Sequence, residues 1–228
     1  MSQQPSKQRH LITVTNPRSP VSEAFRALRT NIDFSSVDKQ IQIIMVTSSG
    51  PEEGKSTVTA NLAAAYAQAD KKVLLIDGDM RKPTAHKTFS LSNRFGLSSL
   101  LSQQADLEEV VQESGVANLS IMTSGPIPPN PAEMMSSNRM SAVLEELRQR
   151  YDMILFDTPP LLAVTDAQIV ASKSDGVIMV VSYGKVKRDI AAKAKANLDR
   201  VGAKMLGVVL NNVKRKASEG YYYYYYGN

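Results

Sequence analysis

Apolar residues along the chain gather into short runs separated by longer mixed segments. Ile41 to Val46, Val73 to Ile76, Leu119 to Met122, Met153 to Asp157, Gly176 to Ser182 and Lys204 to Leu210 read as strands. Most of them are apolar nearly without a break, the pattern of strands buried on both faces of a parallel sheet. Between them lie segments with helical spacing or composition. Ser22 is a plausible N-cap for a helix running to about Asn31, with Phe25, Leu28 and Ile32 on one side. Val58 to Ala69 is alanine-rich and helical, as are Ala132 to Arg150 and Asp189 to Val201. Within Ala132 to Arg150, Met135, Val143, Leu144 and Leu147 are the expected core contacts. Residues 84–118 predict a less regular connection, with short helices around Leu97–Ser102 and Asp106–Glu113. The proline-rich stretch Gly125–Pro131 cannot form regular structure. Alternating strands and helices predict an α/β fold, a doubly wound and mostly parallel sheet.

In such sheets ligands sit beyond the carboxyl ends of the strands. There the first strand enters Val46-Thr-Ser-Ser-Gly-Pro-Glu-Glu-Gly-Lys-Ser-Thr57, and a helix follows at once. Strand, glycine loop with a terminal Gly-Lys-Ser, and helix make up the phosphate-cradling P-loop arrangement of P-loop NTPases. The strict pattern wants glycine five residues before Gly54; that position is Ser49, and the glycine has moved to Gly50. Gly50, Pro51, Glu52, Glu53, Gly54, Lys55, Ser56 and Thr57 form the expected nucleotide cradle. Lys55 can reach the outer phosphates of a nucleoside triphosphate, and the Ser56 hydroxyl can ligate Mg²⁺. The second strand ends in Asp77-Gly-Asp79, two carboxylates suited to Mg²⁺ ligation and to accepting a proton. Met153–Phe156 ends in Asp157, placed to hold Mg²⁺. The last strand runs into Asn211-Asn212, either of which could recognise a base at the same sheet edge.

Composition narrows the class. With 228 residues, 43% of them hydrophobic, the chain can bury one substantial α/β core. It has no cysteine and two histidines, which argues against disulfides, thiolate metal sites and a histidine-built metal site. No apolar run reaches the length of a membrane span, and the first ten residues lack the apolar core of a signal peptide. A cytoplasmic location is therefore expected. The net charge of +5 permits attraction to anions, but no basic stripe is interleaved with aromatics, so no nucleic acid is expected as a partner. The domain reading is an irregular lead-in over 1–20, a P-loop domain over 21–213 that includes helix 22–31, and a C-terminal tail over 214–228.

Two features lie outside the nucleotide site. Glu23, Arg26 and Arg29 share one charged helix face, three residues apart. The tail carries six consecutive tyrosines, Tyr221, Tyr222, Tyr223, Tyr224, Tyr225 and Tyr226. Extended, the residues from Leu210 to Tyr221 span roughly 35 Å, enough to reach an active site.

P-loop, paired aspartates, Asp157, charged helix face and tyrosine tail together resemble the bacterial tyrosine kinase (BY-kinase) family. These are cytosolic kinases linked to exopolysaccharide and capsule production. The resemblance covers almost the whole chain. It implies an ATP- and Mg²⁺-dependent protein-tyrosine kinase that autophosphorylates Tyr221–Tyr226. It implies Asp77 as the group that orients or deprotonates the tyrosine hydroxyl, with Lys55 and Asp79 as further catalytic groups. Ser56, Asp79 and Asp157 become the metal environment. Glu23, Arg26 and Arg29 become the interface of a homo-oligomeric ring, in which one tail enters the next site. The span-free form is typical of Gram-positive bacteria, where a separate membrane protein supplies an activating cytoplasmic segment and recruits the kinase to the inner membrane face. Two other readings compete. A partition- or septum-positioning ATPase of the same class would carry a lysine early in the loop, absent from Gly50-Pro-Glu-Glu-Gly-Lys55, and has no use for the tail. A nucleotide-gated scaffold would use the tail only to bind a partner.

Overall fold

The apolar runs assemble into one seven-stranded sheet in a computed structural model that describes residues 11–35 and 41–213. The strands are β1 (Ile43–Ser48), β2 (Val73–Asp77), β3 (Val111–Glu113), β4 (Leu119–Met122), β5 (Met153–Asp157), β6 (Gly176–Ser182) and β7 (Met205–Asn211). They lie in the order β3-β4-β2-β5-β1-β6-β7, all pairs parallel except β3 with β4. The expected α/β sheet is present. β1, β2, β5 and β6 are buried along their whole length, which is why each reads as a nearly unbroken apolar run.

The helices are α1 (Ile12–Thr15), α2 (Pro20–Phe34), α3 (Lys55–Ala67), α4 (Ala85–Thr88), α5 (Leu97–Leu101), α6 (Leu107–Val110), α7 (Pro131–Ser136), α8 (Asn138–Arg150), α9 (Asp166–Lys173) and α10 (Arg188–Arg200). Alternate residues of β1 feed two cores. Ile43 and Met45 face a layer with α5, α7, α8, α9 and α10, whereas Ile44 and Val46 face α2 and α3. α3 is buried continuously from Val58 to Ala67, as expected of a helix without a polar stripe. The reason is a second helical layer over it. Thr13 donates its N–H and its hydroxyl to Asn61 Oδ1, both at 3.1 Å. The Tyr66 hydroxyl reaches Asp33 at 3.0 Å.

Several boundaries differ from the sequence reading. Residues 1–20 are not wholly irregular, because α1 lies within them. α2 starts at Pro20, with Ser19 rather than Ser22 as its cap, and it continues to Phe34. Proline at the first helical position has its φ preset and needs no N–H partner. Ser22 is buried instead, its hydroxyl donating to the carbonyls of Ile12 and Asn16. Asp106–Glu113 is half helix and half strand, changing at Val110–Val111. Ala132–Arg150 is two helices broken at Ser137, whose hydroxyl accepts the Met140 N–H at 3.1 Å and caps α8.

β1 begins at a charged clamp. Asp175 accepts the N–H groups of Gln42 and Ile43 at 2.9 and 2.7 Å and a two-pronged Arg148 guanidinium at 2.9 and 2.7 Å. Burial pushes the Asp175 carboxyl up, but Arg148 and the two N–H groups outweigh it and hold the pKa below its ordinary value. The pair's contribution is therefore full above the unfolded-state value near 4 and is lost as pH falls through the lower folded value. Asp175→Ala is expected to cost about 2 kcal/mol at neutral pH. In urea unfolding at pH 7 and at successively lower pH, its deficit relative to wild type should shrink below about pH 4.

Candidate active site

The loop between β1 and α3 takes its shape from two left-handed residues, Glu52 at φ 61° and Gly54 at φ 94°. Alternation of this kind turns successive N–H groups to one side, the geometry of an anion nest. Lys55 is the first residue of the thirteen-residue α3, so the helix dipole adds positive potential at the same point. The loop braces itself through Glu53, which is only 4% exposed. Glu53 Oε1 accepts the Gly50 N–H and the Ser49 hydroxyl, while Oε2 is buried without a hydrogen-bond partner. The serine standing where the strict motif has glycine therefore pins the loop.

Gly54 is required twice over. Its φ is left-handed, and a Cβ there would lie 2.0 Å from Asn211 Nδ2. That nitrogen donates to the Glu53 carbonyl at 2.9 Å, joining the end of β7 to the P-loop. Of the two asparagines, Asn211 reaches the site, whereas Asn212 donates to the Ser182 hydroxyl at 3.0 Å. Gly54→Ala is expected to weaken ATP binding at least about tenfold, from strain and contact each near 1 kcal/mol. Adding Asn211→Ala removes the contact but not the left-handed strain. A fluorescent ATP-analogue titration of the double variant should therefore show only partial recovery.

Lys55 gathers the charged groups. Its Nζ lies 3.2 Å from Asp79 Oδ2, 3.3 Å from Asp157 Oδ1 and 3.3 Å from Ser56 Oγ. Sheet register explains the convergence, because Asp77 and Asp157 are partners across β2 and β5, and Asp79 follows two residues later. Burial pulls the Lys55 pKa down, yet Asp157, Asp79 and Asp77 outweigh it and hold it above the ordinary value. The side chain stays an ammonium. Burial pushes Asp157 above its ordinary range, against Lys55 and Ser56. Three oxygens meeting one ammonium define a spot that suits a cation. Carboxylates and a hydroxyl are hard donors of the kind Mg²⁺ takes. Among the described residues no three His, Asp or Glu side chains form a metal cage. Mg²⁺ is commonly held by one or two carboxylates completed by phosphate oxygens and water, so the donor set fits it.

Asp77 stands behind this group, fully buried. Its Oδ2 accepts the N–H groups of Thr84 and Ala85, both at 2.8 Å, and its Oδ1 accepts the Asp79 N–H at 3.2 Å. Burial, then the charge of Asp157, pushes its pKa up to about 7, against the backbone N–H groups and Lys55. The two aspartates, alike in sequence, thus have different settings: Asp79 faces the cation position, and Asp77 is a nearly neutral-poised carboxyl at the floor.

Sequence reasoning missed the tether of this loop. Arg81 donates from Nε and Nη2 to Asp166 at 2.9 and 3.1 Å, and Asp166 is the buried first residue of α9. The partners are 85 residues apart, and no local pattern links them. On α2, Glu23 and Arg26 pair with each other, Arg26 also donates to the Pro17 carbonyl, and Arg29 donates to the Ala65 carbonyl at 2.8 Å. The six tyrosines Tyr221–Tyr226 lie outside the described residues. Among the described residues no helix is long and apolar enough to cross a membrane.

Comparison with known proteins agrees with this fold. A family model described as an AAA domain matches residues 41–189. Tyrosine-protein kinase YwqD of Bacillus subtilis is 51% identical over 207 residues, covering 91% of this chain and 87% of that protein. The solved kinase domain of Escherichia coli tyrosine kinase ETK is 35% identical and superposes with a TM-score of 0.88, covering 95% of this chain and 85% of that one. The septum site-determining protein MinD of Pyrococcus horikoshii has the same fold at lower likeness, 26% identical with a TM-score of 0.66, covering 77% and 72%. The positioning-ATPase alternative is thus not favoured. With half its residues shared with a tyrosine-protein kinase over nine-tenths of its length, the chain belongs to the bacterial tyrosine kinases built on the P-loop fold.

Proposed function

We propose that the site transfers the γ-phosphoryl group of ATP to Tyr221–Tyr226 of a neighbouring copy. The observation that carries this reading is the meeting of Lys55, Ser56, Asp79 and Asp157 at a helix N-terminus, directly in front of Asp77. Loop N–H groups between Glu52 and Thr57 and the Lys55 ammonium hold the phosphates. Ser56, Asp79 and Asp157 hold Mg²⁺, which when bound neutralises charge on the phosphate oxygens. A phenol with pKa about 10 is a poor nucleophile at neutral pH without a base. Asp77 supplies it through Oδ1, the oxygen with the single longer hydrogen bond. The phenol oxygen bonds to the γ-phosphorus as its proton passes to Asp77. The bond to the β–γ bridging oxygen breaks, and ADP leaves with the electron pair.

The tail acts in trans, within a ring closed through the Glu23–Arg26–Arg29 face. Each phosphate adds about −1.5 to −2 charge, so a phosphorylated cluster repels itself and loosens the ring. As a member of a family tied to exopolysaccharide and capsule production, the kinase regulates that synthesis. It does so at the cytoplasmic membrane face, recruited and activated by a segment of a separate membrane protein. Two partners, neither able to phosphorylate its own tail, test the trans step. A Lys55→Met chain with its tail intact is mixed with a chain whose six tail tyrosines, Tyr221–Tyr226, are phenylalanine. Phosphotyrosine should appear on the Lys55→Met chain; if neither chain is labelled, transfer is confined within one subunit and the ring reading fails.

A further inference from the structure

The two edges of the sheet are built on opposite principles. β3 is three residues long, antiparallel to its neighbour, and carries Gln112 and Glu113. Short, polar edges of this kind block pairing with other chains. β7 is seven residues long, Met-Leu-Gly-Val-Val-Leu-Asn, without charge or proline. Val208 is 47% and Leu210 57% exposed, and a Cβ on Gly207 would meet nothing within 4 Å. Among the described residues no strand pairs with its outer side. Beside it lies a shallow apolar hollow between β7 and α2, lined by Leu28, Ile32, Leu206 and Val209.

Charge gathers at the same end of the sheet. Residues 183–213 hold seven Lys and Arg against two Asp, a net of +5, equal to the formal charge of the entire chain. Lys185, Lys187, Arg188 and Lys204 are exposed around the ends of β6 and β7. A second copy would bring the same positive charge to the edge. The chain's own tail opens with Lys214-Arg215-Lys216 and is repelled likewise. A lipid surface offers no N–H and C=O groups in strand register. An acidic, extended polypeptide meets both requirements: it pairs with the bare backbone and complements the charge.

We infer that β7 is a docking strand for an extended segment of another protein, apolar at alternate positions and net acidic, which adds as an eighth strand. The inference deepens the proposed activation by a partner segment and rests on that reading for its consequence. β7 ends at Asn211, whose amide nitrogen donates to the Glu53 carbonyl and fills the space above Gly54. A strand that pairs with β7 therefore acts on an element joined to the P-loop, and the partner tightens ATP binding.

Selection of twelve-residue peptides from a random displayed library on the full chain tests this. Val208→Glu and Leu210→Glu, both on exposed positions, serve as two separate controls. Both variants should keep the wild-type melting temperature and wild-type ATP-analogue affinity without peptide. Selected peptides should be net acidic with alternating apolar residues, and should bind each variant at least tenfold more weakly. They should also tighten ATP-analogue binding severalfold in wild type alone. Failure to select any peptide, selection of neutral or basic ones, or equal binding to both variants overturns the inference. So does capture of phosphatidylglycerol vesicles by wild type but not by the variants, which makes the edge a membrane face. A smaller sedimenting species in the variants also overturns it, making the edge a contact between copies. None of these readouts involves phosphorylation, so they stand apart from failure of the trans-kinase reading.

Discussion

Lys55→Met is expected to reduce tyrosine phosphorylation by about a thousandfold or more, the scale of losing a positioned charge from a phosphoryl-transfer site. The structure adds a second consequence. Lys55 is the cation between Asp79 and Asp157, and all three side chains are largely buried. Removing one member of such a group leaves buried charge unpaired and costs about 3–5 kcal/mol, unless the carboxyls take up protons. Lys55→Met should therefore melt below wild type, and the deficit should narrow at low pH. Millimolar Mg²⁺ should restore part of it, because a divalent ion can take the place of the ammonium. Thermal unfolding with and without Mg²⁺ reads this without any activity. A Lys55→Met protein as stable as wild type in the absence of Mg²⁺ would contradict the charge arrangement.

Asp77→Asn should slow transfer by about a hundred- to ten-thousandfold, the range of a general base. In wild type the base form of Asp77 appears as pH rises through about 7, so the rate should climb between about pH 6 and 8 and then level off. Asp77→Asn should lack that limb. Stability should run the opposite way. A carboxyl whose folded pKa is raised binds more protons in the native than in the unfolded state. Its favourable contribution is complete below the unfolded value near 4 and is lost as pH rises through about 7. Urea midpoints of wild type should carry that falling component, and those of Asp77→Asn should not. Asp79→Asn should reduce activity through Mg²⁺ dependence instead, raising the Mg²⁺ concentration needed for half-maximal rate.

What the sequence made legible followed from burial and chain direction. Val73–Ile76, Met153–Asp157 and Gly176–Ser182 are buried strands and read as such, because a two-sided environment leaves little room for polar residues. Lys55, Asp79 and Asp157 come together because parallel strands deliver their carboxyl ends to one edge. The illegible parts depend on long-range contacts. α4 is one turn, and the N–H groups of its cap Thr84 and its first residue Ala85 serve Asp77 from seven and eight residues away. Arg81 with Asp166, and Arg148 with Asp175, join elements that no local period connects. Ser22 had the composition of a cap, but Pro20 sets the helix start, and Ser22 turns inward to bond the α1 segment. Glu53 looked like one more loop residue until its burial revealed a brace.

Mapping of phosphotyrosine after incubation of the purified chain with ATP and Mg²⁺ tests the central claim most directly. Phosphate should appear within Tyr221–Tyr226, vanish in Lys55→Met and fall steeply in Asp77→Asn. Release of inorganic phosphate with no phosphorylated tyrosine in the tail would contradict it.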